Sequence, residues 1–530
     1  MKTTALLLLC FIFIFPSCKK VEGTNKKLPV TITNTEHLKD TAQFINEELL
    51  KNTSKDTKAF YKAHNFKTVW TNKFNRLSFH DAIQEASSDG LLPSDYNLSI
   101  LQKYESNKTI TKEECAAYDI LLTQSFTKLA RHLFKGKLNP GSVYYDWALP
   151  SKKLNTSMLL SKALTKNSIT ETLNSCRPRH KVYYSLKKSL QFLNSLPNDN
   201  SYKPLDKTTV LKLKDSGDVV IAVKSRLVYW KDLDSADASG NMYDHKTMKA
   251  VKKFQKRHGI YPDGAVSGRT VAALNIGLKK RKQQIIANLE RWRWFAYDFG
   301  TKAILINIPD YKLAVIENGK DTIETYKVVV GKPARRTPVL QAELNNLVIN
   351  PTWTVPPTIL KEDLTPSASK DRNYFAEHNM KIYKYSDTIE TMPEEWDPEK
   401  ADHYRYVQGP GENNALGVVK FNFNNRFSVY LHDTNHRNLF KRSQRALSSG
   451  CVRVEDPLKL AGYVLDKEDA GWTKEKLDEM IALGETKNVG LKKGTHVYQL
   501  YWTAWMDKDG IQFRNDIYNL DKILYSKLRN

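Results

Sequence analysis

Cysteine is scarce in this chain, five residues among 530. That excludes a small disulfide-stapled scaffold, whose cysteines are dense enough to stand in for a hydrophobic core. The apolar run near the start, Ala5 to Phe15, has only eleven residues, too few to cross a bilayer. Net negative charge is absent. With 82 Lys and Arg against 58 Asp and Glu, the chain carries a formal charge of +24, which attracts an anionic partner such as nucleic acid, a membrane surface or an acidic polymer. Core-forming residues are not lacking. A content of 41% hydrophobic and 11% aromatic residues excludes a disordered chain, and the length calls for about two to four domains.

What stands at the N-terminus narrows the partners. Lys2 precedes the apolar run, and Pro16-Ser17-Cys18 with "KKVEGTNKK" follows it, the layout of an export signal. Export removes nucleic acid from the partners. Small residues before a cysteine, directly after such a run, resemble a bacterial lipoprotein box. The resemblance implies cleavage before Cys18 and lipidation of its thiol as a membrane anchor, with 1–17 a signal peptide and 18–35 a tether. Cys10 is then discarded and Cys18 acylated, leaving Cys115, Cys176 and Cys451. An odd number leaves at least one thiol free. Cys115 and Cys176 can pair or stay as buried thiols; Cys451 is the odd one out.

Apolar residues recur at three and four from 36 to about 210, in segments such as "AYDILLTQSFTKLARHLFKGKL", which predicts a helical region. "LNSLPNDNSYKPLDK" (193–207) is rich in Pro, Asn and Asp and reads as a linker. Residues 211–278 form a compact helical unit with an Asp263-Gly264 turn and a helix that Thr270 can cap. A further helix, 279–299, ends in Arg-Trp-Arg-Trp, best explained by packing against the next domain. From 300 to 505 the period switches to two, with an Asn318-Gly319 hairpin turn. Residues 358–408 interrupt these strands as a polar, irregular insert, and a loop that long inside a β domain is a candidate lid. Residues 506–530 read as a C-terminal extension.

One stretch stands out chemically: "RALSSGCVRV", residues 445–454. Cys451 follows Ser448-Ser449-Gly450 and precedes Val452-Arg453. A glycine turn exposes a thiol and aims backbone N–H groups outward, while an arginine supplies positive charge. Nineteen positions earlier lies His432, in "RFSVYLH". There Phe427, Val429 and Leu431 alternate with Arg426, Ser428, Tyr430 and His432, so Tyr430 and His432 share the polar strand face. An imidazole at that strand end can take a thiol's proton.

The spacing from His432 to Ser448-Ser449-Gly450-Cys451-Val452-Arg453 resembles the L,D-transpeptidase (YkuD-type) signature. Ser449 stands where many members have histidine, a departure shared by a long subfamily reading S-S-G-C. "NPTWTVP" and "YWTAW" match further, and "DGAVSGRTVAALN" resembles the peptidoglycan-binding module of cell-wall enzymes. The resemblance implies an α+β multidomain protein: helical scaffold, small helical peptidoglycan-binding domain, and a mainly β catalytic domain with a substrate-capping insert. It implies Cys451 as nucleophile and His432 as base. The backbone of Gly450, Cys451 and Asp433 would serve oxyanion and imidazole, with Tyr430, Trp353, Arg453 and Ser449 along the donor site.

The implied reaction is 3→3 cross-linking of peptidoglycan stems in the cell envelope, at the periplasmic face, with a role in cell-wall organisation and shape. Carbapenems would acylate the same thiol. Peptidoglycan stems and glycan strands are the partners, along with a membrane through the lipid on Cys18. An L,D-carboxypeptidase or a non-catalytic wall-binding lipoprotein are the alternatives. No cofactor is called for. His432-x3-His436 has a zinc-like spacing, but that spacing has meaning on a helix, and here a strand end leads into a loop, so no metal is expected.

Overall fold

The computed structural model describes residues 35–530 apart from 296–298, 320, 386, 467, 469–470 and 493. The signal peptide, Cys10, Cys18 and nearly all of the tether lie outside the described residues. Among those described, no helix is long and apolar enough to cross a membrane.

Helices dominate from Glu47 to Ser195. The longest, Lys112–Lys135, opens on a capping box. The Thr111 hydroxyl accepts from the Glu114 amide at 3.1 Å, and the Thr111 amide donates to the Glu114 carboxylate at 2.8 Å. Two amides left open by a helix start are thereby satisfied. Phe126, Leu129 and Leu133 of this helix pack with Trp70, Phe79 and Tyr96 in a separate apolar core. Cys115 and Cys176 are buried free thiols, each pushed up to about 11 by burial. Of the two sequence readings, the unpaired one holds.

Three helices, Asp218–Tyr229, His245–Arg257 and Gly268–Leu274, make the small unit. Its Asp263-Gly264 turn is tied down on both sides: the Gly264 carbonyl accepts from the Tyr243 hydroxyl at 2.6 Å, and its amide donates to Gln255 at 2.8 Å. Thr270 does not cap the third helix. Ser267 occupies the N-cap position, and Thr270 lies inside, its hydroxyl accepting from Gln255 Nε2 at 3.1 Å. The helix begins before Thr270, so its hydroxyl serves the core instead.

The Leu278–Trp294 helix is buried almost all round. Trp292 stacks on Trp502 at 4.1 Å, Arg291 reaches Asp521 at 2.5 Å, and Arg293 reaches Glu290 at 2.6 Å. Its aromatic-basic end therefore packs internally, as the sequence reading expected.

Beyond it the sheet closes into a barrel. In order, Val339–Ile349, Val419–Phe423, Leu431–His432, Val452–Val454, Asp321–Gly331, Lys312–Glu317, Lys302–Asn307 and His496–Leu500 pair side by side, and the last pairs back onto the first. Trp147–Ala148, from the helical region, adds in parallel to Val339 and Leu340.

The structure differs from the sequence reading in two further places. Residues 358–408 are not irregular. With Trp353–Thr354 they form a four-stranded sheet over a core of its own that includes Phe375, Ile382, Trp396 and Tyr406. Its strands are two to five residues long, too short for period-two patterning to stand out. Nor does a boundary fall at 505/506. The hairpin Ala504–Asp507 with Gly510–Phe513 straddles it, and Phe513, Tyr518, Leu520, Leu524 and Leu528 join the barrel's core.

Candidate active site

Strand register assembles the site. Leu431–His432 runs parallel to Val452–Val454, with Leu431 opposite Val452 and His432 opposite Arg453. Residues opposite each other project on the same sheet face, and the face alternates along each strand. His432 and Arg453 thus share a face with Tyr430 and Cys451, each two positions earlier. The Val452 amide donates to the Tyr430 carbonyl at 3.1 Å, extending the pairing to this level. Tyr430 and His432 meet edge to face at 5.5 Å between ring centres.

"RFSVYLH" is not one strand. Ser428 takes φ +54°, and Asn425 replaces the ladder there. Its side-chain amide donates to the Val429 carbonyl at 2.8 Å and its oxygen accepts from the Phe427 amide at 3.0 Å. Alternation survives only from Val429 onward, which is the part that delivers Tyr430 and His432.

The nucleophile turn is braced from beneath. Ser448 Oγ donates to the Cys451 carbonyl at 2.6 Å and accepts from the Gly450 amide at 3.2 Å. Thr337 Oγ1 donates to the Gly450 carbonyl at 2.8 Å and accepts from the Gly331 amide at 2.8 Å. Tyr518, from the C-terminal segment, donates to the Gly331 carbonyl at 2.7 Å. Gly450 sits at φ +121°, a backbone shape that only glycine adopts easily. Here the structure corrects the sequence reading of two oxyanion donors. The Gly450 amide is committed to Ser448, which leaves the Cys451 amide as the donor the turn can offer. Asp433 is similarly committed: its amide donates to the Val419 carbonyl at 2.9 Å. Its carboxylate accepts from the Val418 amide at 3.0 Å and from Arg437 at 2.8 Å. Its carbonyl is left outside these bonds, and His432 Nδ1 is buried without a hydrogen-bond partner.

His432 is buried, 5% exposed. Burial lowers its pKa to about 3, with Arg453 and Lys420 pushing the same way and the Asp433 backbone opposing. At neutral pH the ring is uncharged. Burial also raises the Cys451 thiol above its ordinary value, against Tyr430, Lys420 and Arg453, which lower it. A neutral thiol beside a neutral imidazole is the resting pair. Burial and the nearby Cys451 push the Tyr430 phenol up while Trp353 opposes them, so Trp353, at the base of the insert, lies close enough to act on the site.

Ser449 faces the insert. Its hydroxyl accepts from Arg335 at 2.7 Å, and the same guanidinium pairs with Asp363 at 2.6 Å and with Glu362. His436 lies exposed in the loop, and no cluster of metal-binding side chains occurs among the described residues.

Sequence reasoning missed Lys420, Arg335 and Thr337. In "VKFNF" Lys420 alternates with Val419 and Phe421, but that it stands directly opposite His432 is visible only in the structure. Arg335 and Thr337 sit in a connecting loop, where no period marks them.

Three families match consecutive parts of the chain. Residues 55–190 match "Scaffold domain", 216–274 match "Putative peptidoglycan binding domain", and 301–497 match "L,D-transpeptidase catalytic domain" (YkuD). A curated protein of Haemophilus influenzae described as "Putative L,D-transpeptidase" is 39% identical over 243 residues, 45% of this chain and 48% of that one. The chain thus spans about half the length of that relative. A solved L,D-transpeptidase (Yku) from Stackebrandtia nassauensis aligns at 17% identity over 56% of this chain and 97% of its own, with a TM-score of 0.19. A fused Zn-dependent amidase/peptidase/peptidoglycan-binding protein from Clostridium acetobutylicum aligns at 14% over 56% and 100%, with a TM-score of 0.15. At such scores neither superposition carries an argument. The barrel of this chain is a YkuD-type L,D-transpeptidase catalytic domain, carried with a scaffold domain and a peptidoglycan-binding domain.

Proposed function

We propose that the chain forms 3→3 cross-links between peptidoglycan stems through a cysteine acyl-enzyme. The observation that carries the proposal is the shared face of Cys451, His432, Tyr430 and Arg453, set by the register of two short strands. His432, uncharged, takes the Cys451 proton as the sulfur attacks the carbonyl of the third stem residue. The carbon–nitrogen bond to the terminal D-alanine breaks, and the imidazolium returns its proton to the departing amine. The side-chain amine of a second stem's diamino acid then attacks the thioester and loses its proton to the same imidazole. Cys451 leaves as thiol. The Cys451 amide supports the oxyanion in both halves.

Water in the second half would make the site an L,D-carboxypeptidase. The insert, clasped over Ser449 by Arg335, favours the amine by limiting water's access. The peptidoglycan-binding domain supports a wall substrate, and the N-terminal run ending at Cys18, read as an export and lipidation signal, supports a periplasmic site on a membrane anchor. The domain plan keeps a scaffold to about 210, a wall-binding unit to 278 and a catalytic unit beyond 300, with 506–530 now inside it.

Mass spectrometry of products from purified tetrapeptide-stem dimers tests this. We expect 3→3 dimers and a covalent stem adduct on the wild type, with both lost in Cys451→Ala. Tripeptides alone would establish the carboxypeptidase. An adduct that persists in Cys451→Ala would overturn the assignment, and wall binding with no product would leave a binding lipoprotein.

A further inference from the structure

The catalytic face holds two cations and no anion. Lys420 stands opposite His432 in the antiparallel pairing, and His432 stands opposite Arg453 in the parallel one. All three side chains therefore leave one face of the sheet. Lys420 Nζ sits 4.1 Å over the Tyr430 ring, a cation–π contact that fixes the ammonium without neutralising it. Arg453 Nε is buried with no hydrogen-bond partner. Among the described residues neither side chain makes an ion pair. Burial lowers the pKa of both, and the nearby Cys451 is the only ionisable group that opposes it for either.

Buried cations elsewhere in this protein meet carboxylates or carbonyls: Arg177 meets Asp89 at 2.8 Å, Arg293 meets Glu290 at 2.6 Å, Arg226 donates to the Leu274 carbonyl at 2.7 Å and Arg445 to the Tyr311 carbonyl at 3.0 Å. Lys420 and Arg453 are half-buried, and a charge partly withdrawn from water with no partner is costly unless something external repays it. Cys451 is not a standing counter-ion, because burial holds it as a thiol. The missing anion belongs to a ligand.

We propose that Lys420, together with Arg453, receives the terminal carboxylate of the donor stem, which makes Lys420 a specificity-determining residue. The inference rests on the transpeptidase reading. The residue to be expelled carries its carboxylate on the carbon next to the scissile nitrogen. With the scissile carbonyl at Cys451, that carboxylate lands within one residue's reach of the sulfur, where the two cations lie. A stem ending one residue further on, or capped as an amide, leaves both half-buried cations unpaired.

The test compares a tetrapeptide stem as free acid and as C-terminal amide, reading acylation of Cys451 by mass spectrometry. The wild type should favour the acid by at least about thirtyfold, the worth of a charge-assisted pair. Lys420→Met should erase most of that preference, chiefly through KM, and Lys420→Arg should restore it. Equal slowing of both donors in Lys420→Met, with a displaced pH profile, would mean that Lys420 merely tunes the thiol, and would overturn the proposal. So would equal use of acid and amide by the wild type. Calorimetric binding of the two stems to Cys451→Ala, with and without Lys420→Met, separates this from the chemistry. An acid preference that vanishes with Lys420 sustains the proposal even where no adduct ever forms. Equal binding of the two stems sinks it.

Discussion

Two pairs of cations, one buried and one half-buried, divide this protein. In the Leu278–Trp294 helix, Arg291 and Arg293 are fully enclosed, and each finds a carboxylate, Asp521 or Glu290. Arg293 also donates to the Asp89 carbonyl at 2.9 Å and to the Tyr183 hydroxyl at 3.0 Å. On the catalytic face, Lys420 and Arg453 find none. The first pair ties the helical region to the barrel and the C-terminal helix. The second leaves charge uncompensated where a substrate would meet it. Arg291 Nε and Nη2 are also buried without hydrogen-bond partners, so the contrast lies in the counter-ion: a cation with a carboxylate belongs to the fold, and one without is open to a ligand.

Breaking the comparison at the helix should have the largest effect. Arg293→Met leaves Glu290 buried and half-partnered, and loss of one member of a buried pair costs about 3–5 kcal/mol. Denaturant titration should show that loss, and the double variant Arg293→Met with Glu290→Leu should recover a good part of it. Arg453→Met removes an unpaired charge, so stability should fall by less than about 1 kcal/mol or rise, while acylation drops. Equal destabilisation by the two single variants would refute the contrast.

The contrast also explains what could be read from the sequence. Cys451, His432, Tyr430 and Arg453 were legible because they lie within one or two residues of a strand pairing that alternation reveals. Trp353 was reached only through resemblance, since its indole arrives from the insert. Lys420 was passed over because a lysine on a strand's polar face is indistinguishable from a solvated one until its neighbours are known. The insert's fold was hidden by strands too short to show a period. The brace from Tyr518 through Thr337 to Gly450 joins residues 181 and then 113 positions apart, distances no local pattern spans.

Titration sharpens the comparison next. His432 is lowered to about 3, and Arg453 and Lys420 contribute to that. The active form is the uncharged ring, so the acid limb of kcat/KM for acylation should lie near pH 3 to 4 and not near the ordinary 6.5. Rates at pH 5 and pH 7 should then agree within about twofold. Arg453→Met should move the limb upward, because one cation opposing protonation is gone. An unmoved limb, or a wild-type inflection near 6.5, would contradict this. The stability counterpart has a definite sign. A histidine kept uncharged in the fold contributes stability that is fully present above 6.5 and lost as pH falls towards about 3. His132 in the helical region, also lowered to about 3 by burial, adds to the same acid-side loss.

The smallest effect belongs to the clasp, where charge is paired but reaches solvent. Arg335 binds Glu362, Asp363 and Ser449, and the two carboxylates are 53% and 49% exposed. Pairs this open contribute about 1 kcal/mol or less, so Arg335→Gln should barely move the melting temperature. Its consequence should be kinetic, because the clasp ties the insert to the turn beside Cys451. Loosening it admits water to the thioester. The ratio of tripeptide to 3→3 dimer should rise several-fold, with the acylation half-reaction little altered. Glu362→Gln with Asp363→Asn should reproduce the shift from the other side. Ser449→Ala, which removes only the hydroxyl acceptor, should give a weaker version. If the ratio stays fixed while acylation slows, Arg335 acts on the nucleophile turn itself, and the insert is no gate for water.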